Sequence, residues 1–195
     1  MARKAEVNRS TAETKINMVL DLDGSGKAEI ETGIGFFDHM LNSFARHGYF
    51  DLKLAVKGDL YVDGHHTVED TGIVLGTAIR KAVGDKAGIR RFGSFLLPMD
   101  ETLILCAVDL SGRPYYVSDV TFANERVGLL DTCLVNEFFY SVSYAAGMNL
   151  HFVFERGEND HHKIEAMFKA FAKALDEATL PEPRLSGILS TKGSL

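Results

Sequence analysis

Between positions 13 and 23 apolar and polar residues alternate, with Ile16, Met18, Leu20 and Leu22 on one side, which is the two-residue period of a half-buried strand. Gly24-Ser25-Gly26 predicts a turn and 27–31 a returning strand. The period then lengthens. Phe37, Met40, Leu41 and Phe44 fall on one face of a helix over 36–47, which Gly48 stops. Alternation resumes over 51–56 through Leu52, Leu54 and Val56, and 58–64 reads as a loop. A second helix over 67–83 is marked by Val68, Ile73, Leu75 and Ile79, and ends at Gly84.

That order then returns. Strands at 101–110 and 115–120 flank Ser111-Gly112-Arg113-Pro114, a turn by composition, and a helix over 132–146 runs to Gly147. A strand at 149–154, a loop at 157–160 and a helix over 161–178 follow. Each half, about 9–90 and 91–180, thus reads strand-strand-helix-strand-helix. The order predicts an α+β fold in which antiparallel sheets are covered on one side by helices. Halves of about 90 residues are marginal alone, so both are expected to share one domain spanning 1–195. The tail, 181–195, reads in two ways. Its composition suits disorder, whereas Ser190-Thr191-Lys192-Gly193 could supply hydroxyl, amide and ammonium donors to an anion.

The strongest chemical signal is also doubled. Asp63-Gly64-His65-His66-Thr67-Val68-Glu69 and Asn159-Asp160-His161-His162-Lys163-Ile164-Glu165 both contain His-His-x-x-Glu, at a constant offset of 96 positions. If turn-forming residues open a helix at each motif, His65 with Glu69 and His161 with Glu165 share a face and can chelate one ion. The second histidine projects roughly 100° away, so His66 and His162 must serve a different ion. Completing ligands then come from the other half or another subunit. His39, in Phe37-Asp38-His39-Met40, and Glu137, its counterpart in the second half, are candidate further ligands. A single motif of this kind would read as a solvated helix start; the repetition favours metal. Nitrogen and oxygen donors without thiolate suit Mn²⁺ or Fe²⁺, and leave Zn²⁺ or Co²⁺ open.

Composition narrows the setting. A net charge of −6 argues against a nucleic-acid or anionic-membrane partner. No apolar run approaches the roughly 20 residues of a membrane span, and Met1-Ala2-Arg3-Lys4 leads into polar sequence, so a cytoplasmic location is expected. Cys106 and Cys133 lack metal-binding spacing and read as buried thiols. Arg90-Arg91, Arg113 and Lys192 form a second constellation, suited to clamping a phosphate. Glu13 is a candidate general base, or else an exposed strand-edge carboxylate.

Taken in order, Arg9-Ser10-Thr11-Ala12-Glu13-Thr14, Gly35-Phe36-Phe37-Asp38-His39-Met40-Leu41, Gly58-Asp59-Leu60, the first histidine motif, Gly88-Ile89-Arg90-Arg91-Phe92-Gly93, Gly112-Arg113-Pro114, and the second motif through Phe168-Lys169-Ala170 resemble the imidazoleglycerol-phosphate dehydratase family. The resemblance runs from about Arg9 to Lys192, and the length fits the family's single-function form. It implies a hydro-lyase of histidine biosynthesis that converts D-erythro-imidazole glycerol 3-phosphate to imidazole acetol phosphate. It further implies two Mn²⁺ per site and a homo-oligomeric shell of twenty-four chains with sites between subunits. By position, His39, His65, His66, Glu69, Glu137, His161, His162 and Glu165 would be metal ligands. Arg91, Arg113, Lys169, Ser190 and Lys192 would contact substrate, with Glu13 and Glu165 catalytic. Glu137 stands where many relatives have histidine, and Gly64 where aspartate is common. The implied route passes through a metal-bound imidazolate and a diazafulvene-like species that acidifies the neighbouring C–H for Glu13. Two other readings compete: a two-metal phosphate-ester hydrolase, and a metal-storing oligomer, for which Glu13 and the cations would have no use.

Overall fold

The computed structural model describes residues 3–195 and runs β1 (Lys4–Ser10), β2 (Thr14–Asp21), β3 (Ala28–Glu31), α1 (Gly35–Gly48), β4 (Asp51–Gly58), α2 (His65–Val83), β5 (Phe92–Met99), β6 (Thr102–Asp109), β7 (Tyr115–Ser118), β8 (Arg126–Val127), β9 (Leu130–Asp131), α3 (Cys133–Ala146), β10 (Asn149–Arg156) and α4 (Asp160–Thr179). Two four-stranded sheets are built alike, in the orders β1-β2-β4-β3 and β5-β6-β10-β7, and the fold is α+β. In β2 the alternation is realised, with Ile16, Met18 and Leu20 buried and the residues between them exposed or partly so.

Two details differ from the expected strand-strand-helix-strand-helix halves. Each half begins with a further strand, β1 or β5, which pairs antiparallel with the next. Their sequences hid them: β1 offers only Ala5 and Val7 to the core, and β5 carries a proline and leaves Phe92, Phe95 and Leu96 exposed. The first strand starts at Lys4, ahead of the boundary at 9. Nor is 27–31 the return of a hairpin. β3 crosses over to pair parallel with β4, as β7 does with β10, so the sheets are mixed rather than purely antiparallel. Asp51 holds that crossover, its carboxylate accepting the N–H groups of Ser25 at 2.7 Å and Lys27 at 3.0 Å.

The helices knit the halves together. α1 packs on α4, and α2 on α3, where Gly76 lets the backbones close: a Cβ there would lie 2.4 Å from the Val142 carbonyl oxygen. Phe139 packs against Phe152, Phe168 and Phe171 at ring separations of 4.7, 4.8 and 5.6 Å, joining α3, β10 and α4. Each histidine motif does open its helix. The Asp63 carboxylate accepts the His65 N–H at 2.8 Å, and Asn159 accepts that of His161 at 2.9 Å. Cys106 is buried as expected, but Cys133, on the first turn of α3, is exposed. The tail is ordered against 84–91: Gly88 donates to Gly187 at 2.8 Å, and Glu182 back to Gly88 at 2.8 Å.

Candidate functional site

Two clusters of potential ligands form, each with every donor atom within 4.8 Å of the others: His39, His161 and Glu165, and His65, Glu69 and Glu137. Each takes one helix from each half, α1 with α4 and α2 with α3. In the first, the buried Glu165 carboxylate lies 3.1 Å from His161 Nε2 and 3.8 Å from His39 Nε2. Its other oxygen is 2.5 Å from Lys169 Nζ. Burial pushes the Glu165 carboxyl up, but the Lys169 ammonium and the two imidazoles outweigh it and hold the group below the ordinary range. In the second, the i,i+4 pair places His65 Nε2 3.6 Å from Glu69 Oε2, and α3 adds Glu137. Three nitrogen and oxygen donors at chelating spacing, with no thiol among them, fit a hard or borderline divalent ion. Phe36 stands edge-on to the His161 ring at 4.9 Å and limits its swing.

His66 and His162 join neither cluster. Each is turned away with its inner nitrogen engaged: His66 Nδ1 lies 3.0 Å from Asp59 Oδ2, and His162 Nδ1 lies 2.7 Å from Glu101 Oε2. The Asp59 carboxylate raises the His66 pKa, and backbone N–H groups together with His162 hold the Glu101 carboxyl far below its usual range. Such contacts fix the tautomer and leave Nε2 with a lone pair to ligate, although Asp100 Oδ2 stands 3.6 Å from that atom of His162. Glu13 Oε1 approaches that free edge of His66, at 3.6 Å, with its side chain half exposed. The turn carrying Glu13 is clamped by Asp70, which accepts from Arg9 Nε at 3.0 Å, Arg9 Nη2 at 2.8 Å and the Thr14 hydroxyl.

Arg91, Arg113, Ser190 and Lys192 line one cavity of about 560 Å³, closed by Ile188 and Leu189 of the tail. None of the cluster histidines reaches it. Arg91 is committed more than expected, its Nε and Nη2 on Asp109 at 2.7 and 3.1 Å and its Nη1 on the Leu189 carbonyl at 2.7 Å. Two of its five N–H groups remain for an anion. Lys169, expected at substrate, does not line this cavity but lies on Glu165.

Three residues of the site gave little or no sign in the sequence. Asp59 lies in Gly58-Asp59-Leu60, which by itself suggests no role for it, and Glu101 sits in a hairpin turn. Lys86 is pushed down in pKa by burial and by Arg91 and Arg113 nearby, which places it in the same cationic group; its loop carries no recognisable signal.

The family model described as imidazoleglycerol-phosphate dehydratase matches residues 32–175. The chain is 65% identical over its full length to the imidazoleglycerol-phosphate dehydratase of Lachnoclostridium phytofermentans and 57% identical to that of Acetivibrio thermocellus, covering 100% of each. Among solved structures, imidazoleglycerol-phosphate dehydratase from Staphylococcus aureus superposes with a TM-score of 0.81 at 39% identity, over 90% of this chain and 97% of that one. The Pyrococcus furiosus structure gives 0.85 at 35% identity, over 97% of this chain and 100% of that one. On both sequence and fold, the chain belongs to the imidazoleglycerol-phosphate dehydratase family, hydro-lyases of histidine biosynthesis.

Proposed function

We propose that the chain dehydrates imidazole glycerol phosphate to imidazole acetol phosphate at a site holding two divalent ions, Mn²⁺ as the family resemblance implies, with nitrogen and oxygen donors that suit it. The observation that carries this reading is the pair of half-spanning clusters, each accompanied by a second histidine that joins neither cluster. His39, His161 and Glu165 would hold one ion, and His65, Glu69 and Glu137 the other. His66 and His162 belong to neither cluster, so they would complete the shells of ions held by neighbouring copies. Sites between subunits follow, as in a closed homo-oligomer of twenty-four chains. That the cationic cavity stands apart from both clusters supports the same arrangement.

Bound divalent ions would supply Lewis acidity that favours the imidazolate form of the substrate ring. The chain's own residues do the rest. Arg91, Arg113, Ser190 and Lys192 hold the phosphate and fix the carbon chain relative to the ring. As the ring's electrons expel the hydroxyl from the attached carbon, the neighbouring C–H becomes acidic. Glu13, exposed and beside His66, takes that proton, and the resulting enol becomes the ketone. Lys169 keeps Glu165 ionised and therefore able to ligate.

The test is direct. Metal-stripped protein should be inactive on imidazole glycerol phosphate, and Mn²⁺ should restore formation of imidazole acetol phosphate. Metal-replete protein that yields no ketone, or that releases inorganic phosphate instead, overturns the reading.

A further inference from the structure

Glu13 and Glu101 occupy matching places. Each immediately precedes the second strand of its sheet, β2 at Thr14 and β6 at Thr102, and both strands run for eight residues. A constant 88 positions separates glutamate from glutamate and threonine from threonine. Both carboxylates also approach the second histidine of their half's motif. Yet the two contacts differ in kind. Glu13 faces the Nε2 edge of His66 at 3.6 Å and makes no side-chain hydrogen bond, while Asp59 holds Nδ1. Glu101 has itself taken the Nδ1 edge of His162, at 2.7 Å, and its neighbour Asp100 faces the Nε2 edge at 3.6 Å. Its other oxygen accepts from the N–H of Asn159 at 2.9 Å, the N–H of Glu158 at 3.2 Å and the Thr102 hydroxyl at 3.2 Å.

We propose that Glu101 is a positioning residue, the counterpart of Glu13, which fixes the tautomer and direction of His162 and so sets how tightly that imidazole ligates. The duplicated glutamate has divided its work. The first copy stays free for the substrate because Asp59 relieves it at the histidine; the second is saturated by four donors and has no capacity left for proton transfer. An oxygen locked to the loop ahead of α4 and another locked to the ring make the pair a rigid strut from the β5–β6 turn to His162. An amide at position 101 cannot replace it: with one acceptor oxygen, it must present N–H either to the backbone donors or to His162 Nδ1–H.

This inference rests on His162 being a metal ligand, and the experiment separates the two. Mn²⁺ is titrated into metal-stripped, full-length wild type, Glu101→Gln, His162→Ala, the double variant and Glu13→Gln, with kcat and KM measured alongside. Glu101→Gln should weaken Mn²⁺ binding roughly 10–100-fold, the range for loss of a ligand's orienting partner. The double variant should bind no more weakly than His162→Ala, since the glutamate acts through the ring. Glu13→Gln should lose turnover with Mn²⁺ affinity unchanged. Wild-type affinity in Glu101→Gln, or additive losses in the double variant, overturns the assignment alone, whereas wild type that takes up no Mn²⁺ overturns the metal reading with it. Should Glu101→Gln fail to fold, a crystal structure of the Mn²⁺-loaded wild type decides. Ligation through His162 Nε2 with Nδ1 on Glu101 supports the role, and ligation through Nδ1 refutes it.

Discussion

Asp70 is the place where one buried carboxylate governs both stability and the aim of Glu13, the proposed general base. Its side chain is 6% exposed and receives two N–H groups of Arg9, at 3.0 and 2.8 Å, together with the Thr14 hydroxyl. Arg9 and Thr14 flank the β1–β2 turn, so this carboxylate fixes both ends of the segment that carries Glu13. In Asp70→Asn one amide oxygen still accepts from Arg9, but the ion pair is gone. Charged hydrogen bonds exceed neutral ones by about 1 kcal/mol each. With Arg9 37% exposed and partly screened, the net loss should be about 1–2 kcal/mol. Asp70→Ala also takes from the Thr14 hydroxyl its carboxylate partner, leaving it only Thr11 Oγ1 at 3.3 Å, and should cost about 3 kcal/mol. For a chain of this size each 1 kcal/mol shifts Tm by about 2–4 °C, so calorimetry at fixed protein concentration and scan rate should show drops of about 2–8 °C and 6–12 °C. Because a displacement near 1 Å costs about 100-fold in rate, kcat should fall at least about tenfold in Asp70→Ala, with Mn²⁺ affinity unchanged. Wild-type Tm and kcat in Asp70→Ala would refute the clamp.

The other expectations are narrower. Gly76→Ala should destabilise by about 1–3 kcal/mol despite alanine's better helix propensity, because the Val142 carbonyl is backbone and cannot yield; an unchanged melt would show that α2 and α3 can part freely. Lys86→Met should raise KM several-fold and leave kcat nearly unchanged, if its charge serves the cationic cavity; steady-state kinetics would show it. Asp160 sits below its ordinary value of 3.8: burial opposes this, but is outweighed by the Asn124 N–H, Lys163 and the Ala123 N–H. A folded-state pKa that is lowered contributes stability above the unfolded value and loses it as pH falls through the folded one. The Tm difference between wild type and Asp160→Asn should therefore be full at neutral pH and shrink below about pH 4; a constant difference down to pH 2 would contradict it.

The periods of hydrophobic residues made α1, α2, α3 and α4 legible because each buries a continuous stripe. β1 and β5 escaped because edge strands offer little to the core, and Pro98 and the exposed Phe95 and Leu96 blur the period of β5. The parallel docking of β3 depends on Asp51 binding the backbone of Ser25 and Lys27, a contact no local pattern announces. At the site, the His-His-x-x-Glu spacing separated the first histidine of each pair, which joins a carboxylate cluster, from the second, which does not, since helical geometry sets their directions. The carboxylates behind those second histidines come from distant turns, and the engagement of Arg91 with Asp109 is tertiary too. A sequence lists charges without their partners.

The pairing of α1 with α4 and of α2 with α3 means that neither half of the polypeptide owns a complete candidate ion-binding trio. A half-length chain with one copy of each helix would be barren alone, yet two such chains joined about a dyad would complete both trios at once. Fusing them end to end would free each copy to drift, which is how Glu13 and Glu101 could part ways without forfeiting the pocket they began with.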